Sequence, residues 1–150
     1  MSVHQAAVRW QRHGEVFTYD TYSRDHELVF KAGKVVIAGS AAPEFRGNAQ
    51  HIDPEEAYVA ALASCHMLSF LAICARKRIG VDSYTDEAEG VLEKGDHGKL
   101  CITQVRLKPK VRFLPGQEPA PDVVLELHHR AHSECFIANS VRTEISVVSP

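Results

Sequence analysis

The sequence lacks the features that mark several large classes of protein. Its 150 residues carry a formal net charge of −2, which gives no reason to expect nucleic acid or an anionic membrane as a partner. The first residues lack a charged region followed by an apolar run, so no signal peptide is expected. The longest uninterrupted apolar run, residues 57–63, is too short to span a bilayer. We therefore expect a soluble, cytoplasmic protein with neither a membrane nor a nucleic acid as partner.

Cysteine is scarce, and its spacing excludes the common metal sites. The four cysteines form no CxxC pair, which argues against zinc ribbons and zinc fingers. The nine histidines do not cluster at ligand spacing either, so no metal or other cofactor is expected. A secreted disulfide framework is not expected in a chain of this size without a signal sequence. Each cysteine is therefore a small buried side chain unless its surroundings activate it.

The order of the predicted elements indicates an α+β fold. Strands come first, then one long helix, a strand pair, a second helix and a last strand, and this order is not the alternating βαβ pattern. No repeat, linker or low-complexity segment interrupts it, so we predict one domain over residues 1–150. The predicted strands cover residues 6–12, 27–31, 34–38, 83–92, 99–113 and 143–148, and the predicted helices cover residues 54–78, 122–131 and 136–141.

The long helix is the clearest element. Asp53 suits its N-cap, Pro54 its first position, and Glu56 completes a capping box. Residues 58–75 are apolar nearly all round, so the helix should be buried on every side. A helix of about 25 residues is roughly 37 Å long, which a protomer of this size can hardly surround. The helix therefore predicts a second subunit.

Two of the cysteines occupy settings that could carry chemistry. Cys65 lies in the middle of the long helix, but His66 points about 100° away from it and forms no ready Cys–His dyad. Cys135 lies in a polar break after the second helix, where backbone amides at a helix start could stabilise a thiolate. Cys74 is about 13 Å along the helix from Cys65 and Cys101 lies in a strand, so both are predicted to be packing residues.

The arrangement of these residues resembles that of the OsmC/Ohr family, in particular OsmC-like proteins with a Ser-Cys-His-Met helix. The likeness covers nearly the whole chain, including the last strand. It rests on three segments: residues 53–56 (Asp-Pro-Glu-Glu), residues 60–68 (Ala-Ala-Leu-Ala-Ser-Cys-His-Met-Leu) and residues 131–135 (Ala-His-Ser-Glu-Cys).

The resemblance implies both a fold and a chemistry. The fold would have antiparallel sheets packed around long central helices in an intertwined homodimer. Cys65 would be the peroxidatic cysteine and Cys135 the resolving one. Glu55 matches the glutamate of an Arg–Glu pair that supports the thiolate, and Arg46 matches its arginine if a short gap is allowed. The implied substrate is an organic (alkyl) hydroperoxide, and the implied reductant is a dithiol of lipoyl or thioredoxin type.

Two alternatives stay open at this point. Phe136 and Ile137 follow the second cysteine where family members often have Pro-Val, which leaves room for a non-catalytic module that binds a small apolar ligand. The second alternative is a hydrolase with Cys65 as nucleophile, although the lack of a Cys65–His66 dyad argues against it. Consumption of peroxide with a dithiol would distinguish the peroxidase from the ligand-binding module, and hydrolysis of an activated ester would identify the hydrolase.

Overall fold

The structure is a computed structural model that describes residues 1–148. Two compact units make up the chain, Met1–Ala57 and Tyr58–Pro150, and the boundary falls inside the first helix. Each unit is described by itself below. A single domain over residues 1–150 stays a prediction.

The first unit contains an antiparallel sheet with the strand order β1-β2-β3. The hairpin between its last two strands forms where the sequence predicts it, and Lys31 and Ala32 in the turn both have positive φ, 51° and 55°. The first strand ends earlier than predicted, and the Trp10 indole N–H donates to the Ser23 carbonyl oxygen at 2.7 Å. The strands are β1 Ala6–Arg9, β2 His26–Phe30 and β3 Val35–Gly39.

Both faces of this sheet are largely uncovered within its unit. All four residues of β1 and four of the five residues of β3 are exposed, whereas Val29 is the one buried residue of β2. Exposed side chains of β3 include Val35, Val36 and Ile37. A three-stranded sheet normally needs a covered apolar face for independent stability. Apolar surface of this kind is characteristic of contact with another layer or chain.

The first helix, α1, covers Pro54–Arg76 and begins with the predicted capping box. The Asp53 carboxylate accepts from the Glu56 backbone N–H at 2.7 Å, and the Glu56 carboxylate accepts from the Asp53 N–H at 3.2 Å. The left-handed residue beyond its C-terminal end is Arg78, with φ 62°, and the Ile79 N–H donates to the Cys74 carbonyl at 2.9 Å. The predicted start of this helix is therefore confirmed, and its end lies two residues before the predicted Arg78.

Within the single chain α1 buries one face and not its whole circumference. Its buried residues recur at helical spacing, whereas Leu68 keeps 61% of its surface exposed. By length and composition alone α1 could cross a membrane, a property that core helices of soluble proteins share. The buried residues are Leu62, His66, Phe70, Ile73 and Cys74.

The second unit contains four strands where the sequence predicts two long ones. One hairpin pairs β5 with β6, and farther from the turn the same two segments continue as β4 paired with β7 in a separate sheet. The break coincides with a local hydrogen bond, because the Asp86 carboxylate accepts the Lys108 backbone N–H at 2.7 Å and Pro109 has no N–H to donate. These strands are β4 Val81–Asp86, β5 Glu89–Lys94, β6 Leu100–Leu107 and β7 Pro109–Phe113.

The last strand, β8 Glu144–Val147, pairs with β6 in parallel, whereas the other strand pairs are antiparallel. The second helix, α2, covers Pro121–Glu134 and has Ala120 at its N-cap, so it begins one residue before the predicted range. This helix runs three residues farther than predicted. As a result Cys135 is its C-cap, and a short 3-10 turn follows at Ala138–Ser140.

Two apolar clusters form the core of the second unit. One joins α1 to α2 and is backed by β4 and β7, and the other joins the start of α1 to β6. The first cluster consists of Phe70, Ile73, Cys74, Leu127 and Ala131, and the second of Leu62, Val105 and Leu107.

Candidate functional site

Cys65 and Cys135 lie side by side where α1 meets the end of α2. Cys65 is half-buried, Cys135 is 1% exposed, and both are free thiols. The Cys65 thiol is near enough to Cys135 to influence the pKa of its thiol. The fold therefore brings together, within one chain, the two cysteines that the sequence singles out.

Burial dominates the electrostatics of Cys135. It raises the pKa of the Cys135 thiol, and the neighbouring Cys65 thiol raises it further. The backbone N–H of Ala138 points at the Cys135 sulfur at 3.5 Å, and it acts with that of Ile137 to lower the pKa. Cys135 is thus kept as a neutral thiol until a base or a reaction partner draws its proton away.

The setting of Cys135 differs from the exposed polar break that the sequence suggests. Because α2 continues to Glu134, Cys135 falls in the last turn that faces α1, and Phe136 is the exposed residue, at 83%. The Asn139 side-chain amide donates to the carbonyl oxygens of Ser133 and Cys135, at 2.9 and 3.1 Å. The turn after α2 is therefore tied back to the helix end.

The two remaining cysteines differ from each other. Cys74 is buried in the core between the helices, where burial raises its pKa, as expected of a packing residue. Cys101 on β6 is exposed and is not packed in the core. A Cβ atom at Gly95 would approach the Cys101 sulfur to 2.7 Å. The close approach of Cys101 therefore favours a glycine at this end of the β5–β6 hairpin.

Arg46 and Glu55 are not joined to each other in the first unit. The Arg46 guanidinium pairs with the Asp20 carboxylate at 2.8 Å and lies 5.7 Å from the centre of the Tyr19 ring. Glu55 lies half-buried in the first turn of α1. Across residues 1–148, no hydrogen bond or ion pair links the two side chains, so an Arg46–Glu55 pair stays a prediction.

A second arginine of the first unit escaped the sequence reasoning. The Arg24 guanidinium lies 3.8 Å from the centre of the Tyr22 ring and 5.1 Å from that of Tyr19. It donates to the backbone carbonyls of both tyrosines. The signal available in the sequence was the pair of tyrosines within five residues of this arginine, since guanidinium groups stack on aromatic faces.

A buried histidine pair lies next to the two thiols along the same helix contact, and sequence reasoning missed it. His66 of α1 and His128 of α2 share a hydrogen bond of 3.1 Å between Nε2 and Nδ1. Their rings are nearly parallel, and His128 also stacks on Phe70 with ring centres 4.3 Å apart. The spacing of His128 and His132 on α2 could have indicated a histidine face on that helix.

Burial keeps this pair neutral. It lowers the pKa of both His66 and His128 to about 4, and for His66 the charges that His128 and His132 would carry lower it further. The Nδ1 atoms of His66 and His132 are buried without a hydrogen-bond partner in the described part of the chain. Within residues 1–148 no group of three or more His, Cys, Asp or Glu side chains is arranged to hold a metal ion.

Comparisons with known proteins agree on one family. The model of the OsmC-like protein family matches residues 47–149. A structure of an OsmC-like protein of unknown function from Vibrio cholerae is 45% identical and superposes with a TM-score of 0.95 over 100% of both chains. No curated protein matches the chain.

Two more distant structures share the fold. An organic hydroperoxide resistance protein from Legionella pneumophila is 15% identical, with a TM-score of 0.71 over 99% of this chain and 97% of that one. The organic hydroperoxide resistance protein OhrB of Bacillus subtilis is 16% identical, with a TM-score of 0.72 over 99% and 98%. At these identities the likeness concerns the fold alone.

The histidine pair makes stability dependent on pH. Unfolding restores an ordinary histidine pKa near 6.5, so the unfolded chain binds protons more tightly than the folded one. The stability from this pair is complete above pH 6.5 and is lost as the pH falls toward about 4. Urea unfolding across this pH range should show a smaller loss in the free energy of unfolding for His128→Gln than for the wild type. His129→Gln, a change at an exposed neighbour, should follow the wild type; equal losses in all three proteins would contradict the assignment.

Proposed function

Because the chain belongs to the OsmC-like protein family, we propose that it is a thiol-dependent peroxidase that reduces organic hydroperoxides. The observation that carries this proposal is the contact between the thiols of Cys65 and Cys135. A thiol that becomes oxidised needs a second thiol within reach if it is to form a disulfide. The Legionella and Bacillus proteins are named organic hydroperoxide resistance proteins, and these names support an organic hydroperoxide as the substrate.

The reaction proceeds in two balanced steps. The Cys65 thiolate attacks a peroxide oxygen, the O–O bond breaks, and the alkoxide takes up a proton and leaves as an alcohol. Cys65 is then a sulfenic acid. Cys135 loses its proton as its sulfur attacks that of Cys65; the S–S bond forms, the S–O bond breaks, and hydroxide leaves with the proton as water. A dithiol of lipoyl or thioredoxin type returns two electrons and two protons.

The thiolate of Cys65 needs a positive charge, and we propose that Arg46 supplies it with Glu55 as its partner. Glu55 and Cys65 lie ten residues apart on α1, about 15 Å of helical rise, so they cannot meet along one helix. Glu55 therefore serves the Cys65 of a second copy. Arg46 can exchange its partner at little cost, because its ion pair with Asp20 is exposed and such pairs contribute about 0–1 kcal/mol.

We propose a homodimer as the functional form. On α1 the residues Ala60, Ser64 and Leu68 form an exposed stripe at a spacing of four, on the side away from the core. The sheet of the first unit adds exposed valine and isoleucine side chains. Burial of these surfaces against a second copy would remove apolar area from water. The same contact could bring Glu55 of one copy to Cys65 of the other.

The surroundings of Cys65 favour an alkyl hydroperoxide as substrate. The helix around it presents alanine, methionine and leucine side chains, and no ionised group of the second unit contacts either thiol in the described residues. An apolar wall binds an alkyl chain better than hydrogen peroxide, which has only polar surface. We propose that the protein acts on these substrates in the cytoplasm, without a cofactor.

The two cysteines should differ in what their loss does. Cys65→Ser should abolish reduction of cumene hydroperoxide, whereas Cys135→Ser should react once and stop as a sulfenic acid that dimedone traps. Peptide mapping after one equivalent of peroxide should find a Cys65–Cys135 disulfide within one chain. Cys101→Ser is the control and should keep full turnover. Four free thiols after treatment, or a Cys65–Cys101 bridge, would refute the mechanism and favour a non-catalytic module.

Light scattering tests the dimer. The wild type should have the mass of two chains at micromolar concentration, and Leu68→Glu should shift it toward one chain because a charge would enter an apolar contact. Leu125→Glu changes a leucine of α2 that is also exposed, at 46%, and should leave the mass unchanged. A wild type that is stable as a monomer would rule out the assembly.

Alkylation of Cys65 at neutral pH tests the arginine. Arg46→Ala should slow the reaction, because the thiolate loses its supporting charge. Arg24→Ala is the matched comparison and should leave the rate unchanged. The reverse result would assign the role to Arg24, and unchanged rates in both variants would show that neither arginine supports the thiolate.

A further inference from the structure

The contact between α1 and α2 is built in layers of different chemistry. In the thiol layer Cys65 lies beside Cys135, in the histidine layer His66 is hydrogen-bonded to His128, and Phe70 stacks on His128. Aliphatic packing follows with Ile73 and Leu127. His66 follows Cys65 directly on α1 and His128 precedes Cys135 along α2, so the same two segments carry the thiol layer and the histidine layer.

The histidine layer is the polar link between the helices. The hydrogen bond between His66 and His128 is buried, and across residues 1–148 no other side-chain hydrogen bond joins α1 to α2 away from the surface. Hydrophobic burial is non-directional, whereas a hydrogen bond between two flat rings fixes distance and direction. The Nδ1 atom of His66 is also buried without a hydrogen-bond partner in the described residues. The histidine layer therefore has a cost in free energy that purely apolar packing would not have.

We propose that His66 and His128 are positioning residues for disulfide formation: their hydrogen bond holds the end of α2 so that Cys135 stays against Cys65. The inference rests on the proposed function insofar as it takes Cys65 and Cys135 as a redox pair. Neither histidine reacts. Each acts through the helix that carries one of the thiols, and the step that they govern is the attack of Cys135 on oxidised Cys65.

Protonation releases this hold. One added proton leaves an N–H to donate across the pair but places a charge where no carboxylate of the described residues is bonded to either ring, and a second proton makes both facing nitrogens donors. The titratable groups around the pair are few. They are Cys65 and Cys74 on α1, His132 and Cys135 on α2, and Tyr84 with Asp86 on β4 behind Phe70.

Closure of the disulfide is the measurement. Diamide removes two electrons and two protons from a dithiol as the S–S bond forms, so it reports closure without any peroxide. The rate is followed in single-turnover experiments by mass spectrometry of the Cys65–Cys135 peptide pair. Three variants are compared with the wild type: His128→Phe, which keeps the ring on Phe70 but loses the hydrogen bond, His128→Gln, which keeps a hydrogen-bonding group that does not titrate, and His129→Gln as the exposed control.

Positioning predicts a distinct pattern. His128→Phe should close the disulfide about tenfold more slowly, the effect of losing one buried hydrogen bond. His128→Gln should close it at nearly the wild-type rate at neutral pH. The ratio of the wild-type rate to the His128→Gln rate should drop as the pH approaches about 4, where the pair in the folded wild type takes up a proton. His129→Gln should match the wild type throughout.

Two results would overturn the inference. One is closure of His128→Phe at the wild-type rate, and the other is a rate ratio of wild type to His128→Gln that does not change with pH. The rate ratio requires only that His128→Gln folds, so the inference can still be tested if His128→Phe does not fold. If the pattern appears with diamide while the protein consumes no hydroperoxide, the positioning role stands and the proposed peroxidase function falls.

Discussion

The contact between α1 and α2 is the constraint on which the rest of the second unit depends. It buries Phe70 and Leu127, provides the surface that β4 and β7 cover, and places the C-cap of α2 against the middle of α1. The position of Cys135 is a consequence of where α2 ends and of how it lies on α1. Because the contact is layered, whatever changes the histidine layer is transmitted directly to the thiol layer beside it.

The candidate site is apolar and neutral within its own unit. Burial raises the pKa of Cys135 and holds His66 and His128 uncharged near neutrality. Such surroundings protect a thiol from ionising but do nothing to activate it. Activation therefore requires a charge that the second unit does not provide in the described residues. This is the physical reason why the proposed role of Arg46 and Glu55 and the proposed homodimer stand or fall together.

Local patterns in the sequence served well where the structure is locally determined. The capping box at Asp53 and Glu56 and the hairpin after β2 were predictable because their partners lie within a few residues. Predictions were wrong where distant partners decide. The two long predicted strands divide at Asp86 and Pro109, where a carboxylate takes a backbone N–H from the opposite strand. Nothing in the periodicity of either strand marks that break.

The sequence by itself determined which residues could react, where α1 begins, and that the chain combines an apolar helix with strands in an α+β order. Only the tertiary structure decided that Cys135 is buried beside Cys65, that His66 bonds His128, and that Arg46 is held by Asp20. The physical reason is the range of the contacts. Capping and turns depend on neighbours along the chain, whereas the pairing of side chains more than sixty residues apart depends on how two helices pack, which no local pattern encodes.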